Sequence, residues 1–598
     1  MSRKKKLNQG GAAELSRASA RPLPARSWFL QPLPLALLGA TLFFSSFSPY
    51  GISPLGWIAT APFLVLVRQN RLDGKRPYRA IWFASSLAWL AMLEGIRRPF
   101  WALYFGWFAL SIYAAAYIPL FVAAARILVH RWRIPLAVAA PLVWSSLELL
   151  RGYVFSGFSV GLLAHTQFQN PLVIQFADLF GQCGVSFLLI VPAASLVSLL
   201  PPSWIEGNLA HHEGTKTPRA EPLAPRIICA VASAFLIAAI LTYGAHRLRE
   251  SDEIAKSAET LQVALIQGNV DVVFGGNSME YLGNQWKQCR NLTSEAAAAF
   301  PDTDLVVWPE SCFLHGGFDL RINSPLNLPR GFDGTVQDFE KWLLEQNTAQ
   351  LVTNCQMLAD RFNRLRDNTP EGHAKFLVGS GSAEVGPGDK EVQYNSALFV
   401  NAEGKIESRY YKMHRVMFGE YIPIVDLFPI LYRFTPLSAG IRPGEAPTPI
   451  RVNNWVLCPS ICFESTVPHL LRNQSHNLAA QMAPCDAFVN LTNDGWFWGS
   501  GVQDLHLHCA IFRAVENRRP VIVAANSGFS VHCDAAGRIQ ALGKRRSAEF
   551  LLAKISKDSR TTLYYQWGDW PLLSGLAMTL GALVFELLSR WGLRTQKR

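Results

Sequence analysis

The chain has 598 residues, 50% of them hydrophobic and 17% charged, with a formal net charge of +12. The apolar residues gather in long uncharged stretches with little amphipathic alternation, which argues against the buried core helices of a soluble protein. No basic stripe interleaves with aromatic side chains, so the positive balance does not point to a nucleic-acid partner.

A helix that crosses a bilayer takes about 20 largely apolar residues. Residues 28–46, 52–67, 80–95, 103–129, 134–150, 171–200, 227–243 and 570–588 are the candidates, so about eight spans are expected. Lys and Arg mark alternate loops, as cytoplasmic loops do. Arg3, Lys4, Lys5 and Lys6 open the N-terminal tail; Arg68, Arg71, Lys75, Arg76 and Arg79 follow the second span. Arg126, Arg131 and Arg133 follow the fourth, Lys216 and Arg219 the sixth, and Arg590, Arg594, Lys597 and Arg598 the eighth. The intervening loops hold Arg97, Arg98 and Arg151 alone. Both termini are therefore expected in the cytoplasm, with the first span retained and the segment after the seventh carried across the membrane. The expected organisation is a basic tail 1–27, a transmembrane bundle 28–245, an exported domain 246–567, a last span 568–589 and a cytoplasmic tail 590–598. The tract 201–225 reads as a solvated loop.

After residue 246 the pattern changes. Residues 263–270, 376–381 and 486–493 read as buried strands, and 395–400, 401–404 and 405–410 as a hairpin. Residues 504–517 have helical spacing. Strands alternating with helices over about 300 residues indicate one large α/β domain. The stretch 313–351 is rich in Gly, Pro and Asn and reads as a surface excursion, a candidate lid.

Three chemically distinct residues stand far apart in strand-like runs: Glu310 in 305–311, Lys412 in 408–414 and Cys462 in 455–465. A thiol nucleophile needs a base to take its proton and a fixed positive charge to hold a developing oxyanion. A carboxylate, an ammonium and a cysteine supply those roles. Cys458 competes with Cys462, since residues four apart face the same side of a strand. His506, His508 and Cys509 sit close in sequence, but histidines two apart do not share a helix face, so one is expected to pack and the other to be exposed. No metal or cofactor is predicted. Eight cysteines fall in the exported segment without the spacing of a disulfide framework, and no bridge to Cys462 is expected.

The order and contexts of these residues resemble the nitrilase superfamily. The apolar segments narrow the resemblance to the apolipoprotein N-acyltransferase family. It rests on Gln267-Gly268-Asn269, Trp308-Pro309-Glu310, Tyr411-Lys412, Phe418-Gly419-Glu420-Tyr421-Ile422-Pro423, Ile461-Cys462-Phe463-Glu464 and Asn490-Leu491-Thr492-Asn493-Asp494-Gly495-Trp496-Phe497. Asp504-Leu505-His506, Arg513-Ala514-Val515-Glu516 and Ala525-Asn526-Ser527-Gly528 continue the series. The resemblance implies a polytopic helical membrane domain carrying a nitrilase-like α-β-β-α sandwich on the periplasmic face of the cell inner membrane. It implies a phospholipid acyl donor, a diacylated apolipoprotein acceptor and a thioester on Cys462, with Glu310 as base and Lys412 at the oxyanion. Glu420 and Glu464 would be supporting carboxylates. Two positions depart from the family pattern. Relatives commonly carry Gly-Phe-Pro-Trp where this chain has Gly157-Phe158-Ser159-Val160, and a Trp beyond Gln267-Gly268-Asn269 where the nearest aromatic is Phe274.

Two other readings stay open at this stage. A membrane-anchored nitrilase-like amidohydrolase would use the same three residues, though a hydrolase of soluble amides needs one anchor. A transporter would need ionisable residues along a pathway, and Glu94, Glu148 and Asp178 are the candidates.

Overall fold

The computed structural model describes residues 27–206, 223–272, 278–313, 319–323, 325–364, 373–386, 391–422, 430 and 440–595. Most of the basic N-terminal tail, Lys216, Arg219, Phe274, Pro423, Lys597 and Arg598 lie outside the described residues.

All eight apolar stretches form helix. Among the described residues, three helices are long and apolar enough to cross a membrane: Leu103–His130, Ala177–Leu199 and Leu223–Ser257. Pro32–Ser45, Ser53–Arg68 and Trp570–Glu586 are shorter apolar helices. Ala177–Leu199 runs through the middle of the bundle, its apolar window 78% buried, whereas Leu223–Ser257 is only 17% buried and lies at the rim. The stretch 171–200 is not one continuous helix. Phe180 and Gly181 leave helical geometry, and Gly181 has φ 66°, with the Tyr564 ring where its Cβ would stand. A side chain at Gly181 would meet that ring at 2.6 Å, so the break lets the bundle accept a residue from the far domain.

Among the described residues, thirteen strands follow: β1 Thr260–Gln267, β2 Leu305–Val307, β3 Asp319–Ile322, β4 Lys375–Val385, β5 Glu391–Val400, β6 Ile406–Tyr411, β7 Ile450–Val452, β8 Trp455–Ile461, β9 Ala487–Asn493, β10 Val521–Asn526, β11 Val531–Cys533, β12 Ile539–Leu542 and β13 Glu549–Ser556. They build two sheets, ordered β13-β1-β2-β4-β5-β6, with β3 also on β4, and β12-β11-β10-β9-β8-β7. The period of two sorts each strand between layers. Val263 and Leu265 face the second sheet, together with Leu457, Val489 and Ile522. Ala264 and Ile266 face outward, onto Trp286 and Leu292 of helix Ser278–Ala299 and Leu351 and Leu358 of helix Val336–Asn363.

On the second sheet the outward residues Phe488, Val521 and Val523 meet Leu507 and Ile511 of helix Val502–Asn517 and Leu471 of helix Pro468–Ala480. The same cluster takes in Ile174, Ala177, Val185 and Leu188 from the bundle. The α-β-β-α sandwich thus shares an apolar cluster with the helix bundle, through the outer layer of its second sheet. That fixes its orientation on the bundle.

The 313–351 stretch differs from its reading as an excursion. Asp319–Ile322 pairs in parallel with β4, and Thr335 with Asp338 forms a capping box that starts helix Val336–Asn363. Thr335 and Asp338 satisfy each other's backbone N–H groups, so the helix begins abruptly after a Gly-rich turn and Phe339, Leu343 and Leu344 pack on Leu320 and Leu326.

Candidate active site

Glu310, Lys412 and Cys462 each lie just past the end of a strand, beyond β2, β6 and β8. Strand ends free the backbone to turn, so side chains from both sheets can converge at one end of the sandwich.

Glu310 enters through a tight crossing. A Cβ at Gly379 on β4 would come within 2.3 Å of the Pro309 carbonyl oxygen and 2.5 Å of Glu310 Cα, so only glycine lets this turn pass. The Glu310 carboxylate is buried and fully engaged: Asn395 Nδ2 donates to Oε1 at 2.7 Å and the Asn493 N–H donates to Oε2 at 2.9 Å. Lys412 Nζ lies 3.3 Å from Glu310 Oε1 and donates to Glu420 Oε1 at 2.7 Å.

The β5–β6 hairpin sets this meeting. Its register pairs Ser396 with Tyr411, so the next pair brings Asn395 opposite Lys412, whose N–H donates to the Asn395 carbonyl at 2.9 Å. Asn395 Nδ2 also reaches Glu420 Oε1 at 3.2 Å. Lys412 is 1% exposed. Burial alone would pull its ammonium down, but Glu310, Glu420 and Cys462 outweigh that and hold it well above the usual lysine value.

Cys462 has φ 51°, a left-handed conformation that costs a non-glycine residue about 1–3 kcal/mol. Ser311, next to Glu310, is left-handed too at φ 58°. The turn at Cys462 breaks the strand alternation, so Cys458 and Cys462 do not share a face as expected. Cys458 packs in the outer layer with its sulfur 3.7 Å from Gln474 Oε1, whereas Cys462 borders the core between the sheets. Burial pushes the Cys462 thiol well above its ordinary range, Glu310 adds to that, and Lys412 pulls it back.

Glu420 and Glu464 hold different parts. Glu420 pairs with Lys412 and its Oε2 accepts from the Val416 N–H at 2.8 Å. Glu464 does not touch the ammonium. Its Oε1 accepts from the Met413 and His414 N–H groups at 2.7 and 2.9 Å, and its Oε2 from the Ile461 N–H at 2.6 Å and the Tyr410 hydroxyl at 2.8 Å. It therefore ties the segment around Lys412 to the turn carrying Cys462. Burial raises Glu464 to about 7 against those donors.

Sequence reasoning missed several groups here. Asn395 was legible only through the hairpin register. Asn490 Nδ2 donates to the Cys462 carbonyl at 3.2 Å, and His506 lies between that carbonyl and Asp494. Both His506 and His508 are buried, contrary to the one-in, one-out expectation; His508 stacks on Phe168 at 3.8 Å between ring centroids because the bundle covers that helix face. Glu94, Glu148 and Asp178 are each bound in local contacts: Glu94 with Arg98, Glu148 with the Trp144 indole and the Leu163 N–H, and Asp178 with Arg518 and Arg247.

Family models match both parts of the chain. Residues 39–195 match the family model of the apolipoprotein N-acyltransferase N-terminal domain, and residues 262–565 that of carbon-nitrogen hydrolases. An apolipoprotein N-acyltransferase of Rhodopirellula baltica is 30% identical over 583 residues, covering 94% of this chain and 97% of its own. Apolipoprotein N-acyltransferase 1 of Treponema denticola is 28% identical over 560 residues, covering 91% and 94%. Among solved structures, Nit3 of Saccharomyces cerevisiae, a nitrilase-superfamily member, aligns at 20% identity over 50% of this chain and 90% of that one, with a TM-score of 0.33.

Proposed function

The chain belongs to the apolipoprotein N-acyltransferase family, and on that premise we propose how its own residues carry the reaction. The enzyme transfers a fatty acyl group from a phospholipid to the N-terminal amine of diacylglyceryl-cysteine in apolipoproteins, through a cysteine thioester.

Glu310 takes the Cys462 proton as the sulfur attacks the ester carbonyl of the phospholipid. Activation is coupled to attack because burial disfavours a standing thiolate. Lys412 stays charged between Glu310 and Glu420 and holds the tetrahedral oxyanion together with a backbone N–H beside Cys462. Collapse of that intermediate breaks the C–O bond, and Glu310 returns its proton to the departing lysophospholipid oxygen. The thioester is then attacked by the acceptor amine; Glu310 accepts the amine proton, and the thiol is restored when the C–S bond breaks. Glu420 keeps the ammonium in place through both halves. Glu464 keeps the two halves of the site in register.

All eight helices are assigned to the bilayer, with the sandwich 246–567 on the periplasmic side and both termini in the cytoplasm. Three loops touch the sandwich: Ser48 lies against Gly501, Arg98 donates to the Trp498 carbonyl at 2.9 Å, and His414 bonds the Ser156 carbonyl at 2.6 Å. These are the loops poor in Lys and Arg, opposite the basic ones. Exposed Trp101, Phe105, Phe155, Trp567 and Trp570 near them, and Trp28, Trp132 and Trp204 by the basic loops, supply the aromatic residues of two membrane interfaces.

The observation that carries the residue roles is the 3.3 Å approach of Lys412 to Glu310 next to a thiol whose ionisation responds to both. Mass spectrometry after incubation with phospholipid should find the acyl group on Cys462, absent from Cys462→Ala and present in Cys458→Ala. An adduct on Cys458, or none in the wild type, would overturn the assignment.

A further inference from the structure

His506 sits on helix Val502–Asn517 behind the nucleophile and has no part in the proton transfers above. Its two nitrogens both face acceptors. Nδ1 lies 3.1 Å from Asp494 Oδ1, and Nε2 lies 3.1 Å from the Cys462 carbonyl oxygen and 2.9 Å from Ser465 Oγ. A carbonyl oxygen only accepts, so Nε2 must carry a proton. A carboxylate oxygen also only accepts, so Nδ1 must carry one as well. Asp494 Oδ1 already receives the Thr492 hydroxyl at 3.0 Å, which leaves it an acceptor toward the ring. This set of partners is the one an imidazolium satisfies with both of its N–H groups. Burial opposes that charge, and Asp494 and Glu310 outweigh burial and raise the histidine above its usual value.

The Cys462 carbonyl is loaded beyond the ordinary. Ser465 Oγ at 3.2 Å and Asn490 Nδ2 at 3.2 Å donate to the same oxygen that faces His506. Hydrogen bonds to an amide oxygen draw electron density from its nitrogen and polarise the N–H of the next residue, the mutual strengthening expected of hydrogen-bond chains in a low-dielectric interior. The next residue is Phe463. It lies in the first turn of the short helix Cys462–Thr466, where backbone N–H groups have no partner within the helix.

We infer that His506, locked as a double donor between Asp494 and the Cys462 carbonyl, is a positioning residue that polarises the Cys462–Phe463 peptide and so strengthens the Phe463 N–H as an oxyanion donor. It works through the peptide and never touches substrate. The inference rests on Cys462 being the nucleophile. His506 thereby joins Lys412 in favouring negative charge on the acyl oxygen.

The test separates oxyanion binding from ground-state binding in the full-length, detergent-solubilised protein. A fatty aldehyde reacts with the thiol: a C–S bond forms, the carbonyl π pair moves to oxygen, and the thiol proton passes to Glu310. The new oxygen then occupies the oxyanion position. A dialkyl-ether phospholipid occupies the same site without reacting, and iodoacetamide alkylates Cys462 without forming an oxyanion. His506→Gln keeps one donor but loses the charge. In that variant aldehyde affinity should fall about 10-fold, less than the full loss of an oxyanion donor, while ether-lipid affinity and alkylation rate stay within about twofold. Asp494→Asn should fall between wild type and His506→Gln in aldehyde affinity. Unchanged aldehyde affinity in His506→Gln would overturn the inference. A parallel loss of all three readouts would also overturn it, since that marks a purely structural histidine. An aldehyde adduct absent from Cys462 in the wild type would instead remove the nucleophile assignment, and the inference with it.

Discussion

Two buried ion clusters of similar composition do different work in this protein. At the reactive corner, Lys412 lies between the carboxylates of Glu310 and Glu420. At the joint between bundle and sandwich, Asp178 accepts from Arg518 at 2.6 Å, Arg247 at 2.9 Å and the Tyr243 hydroxyl at 2.7 Å, while Glu516 accepts from Arg513 and from the Gln182 N–H. Lys412 and Arg518 are both almost wholly buried. Burial and pairing therefore do not distinguish chemistry from architecture.

The cations distinguish them. The joint uses guanidinium groups, which stay charged and present rigid forks that fix geometry. The corner uses an ammonium, the point charge that the proposed mechanism sets on the oxyanion, beside a thiol on a strained turn. The carboxylates differ in the same way. Asp178 is saturated by guanidinium and phenol donors, whereas Glu310 is held by an asparagine amide, a backbone N–H and Lys412, and its charge helps raise the Cys462 thiol.

The contrast can be broken most sharply at the thiol. Cys462→Ala should abolish acyl transfer, a loss of at least about 10⁴-fold given what removal of a covalent nucleophile costs, with unchanged membrane insertion; release of acylated peptide measures it. Exchanging the cations is next. Lys412→Arg should lower the acylation rate about 10²- to 10³-fold, because the fork pairs with Glu310 and Glu420 and leaves the oxyanion, while thermal unfolding in detergent barely shifts. The mirror change, Arg518→Lys, should leave the rate within about threefold and destabilise by about 1–3 kcal/mol through lost donors to Asp178 and Gln175. A large rate loss in Arg518→Lys would erase the distinction.

Glu464 gives a pH handle on the corner alone. Its carboxyl titrates at about 7, so as pH falls through 7 it takes up a proton and can no longer accept from all four of its donors. The acylation rate should therefore decline on the acid side of 7. In Glu464→Gln that dependence should flatten at a rate about 10-fold below the wild-type plateau, as read from single-turnover pH profiles. The smallest effect belongs to Cys458→Ala, with an unchanged rate and a cost of about 1 kcal/mol for a small cavity, measured by denaturant unfolding.

Much of this was legible in the chain. The eight apolar stretches, the alternating basic loops and the period-two strands follow from local composition, because a bilayer and a pleated sheet each impose a short-range pattern. Glu310, Lys412 and Cys462 could be singled out as candidates because a thiol acyl transfer needs one group of each kind. The helix hidden in 313–351 was missed because its Gly- and Pro-rich lead-in masked the Thr335–Asp338 cap.

Other features came only from the packed molecule. Cys458 and Cys462 separate because one residue turns left-handed, which periodicity does not register. Asn395, Asp494 and His506 gained their partners from strand register and helix docking, across separations that no local pattern encodes. The residue types were set by the chemistry the chain must perform, and local order by short-range backbone sterics. Which groups share protons and charge was decided by the folding of two sheets and a bundle against one another, since electrostatic coupling depends on distance in space and not along the chain.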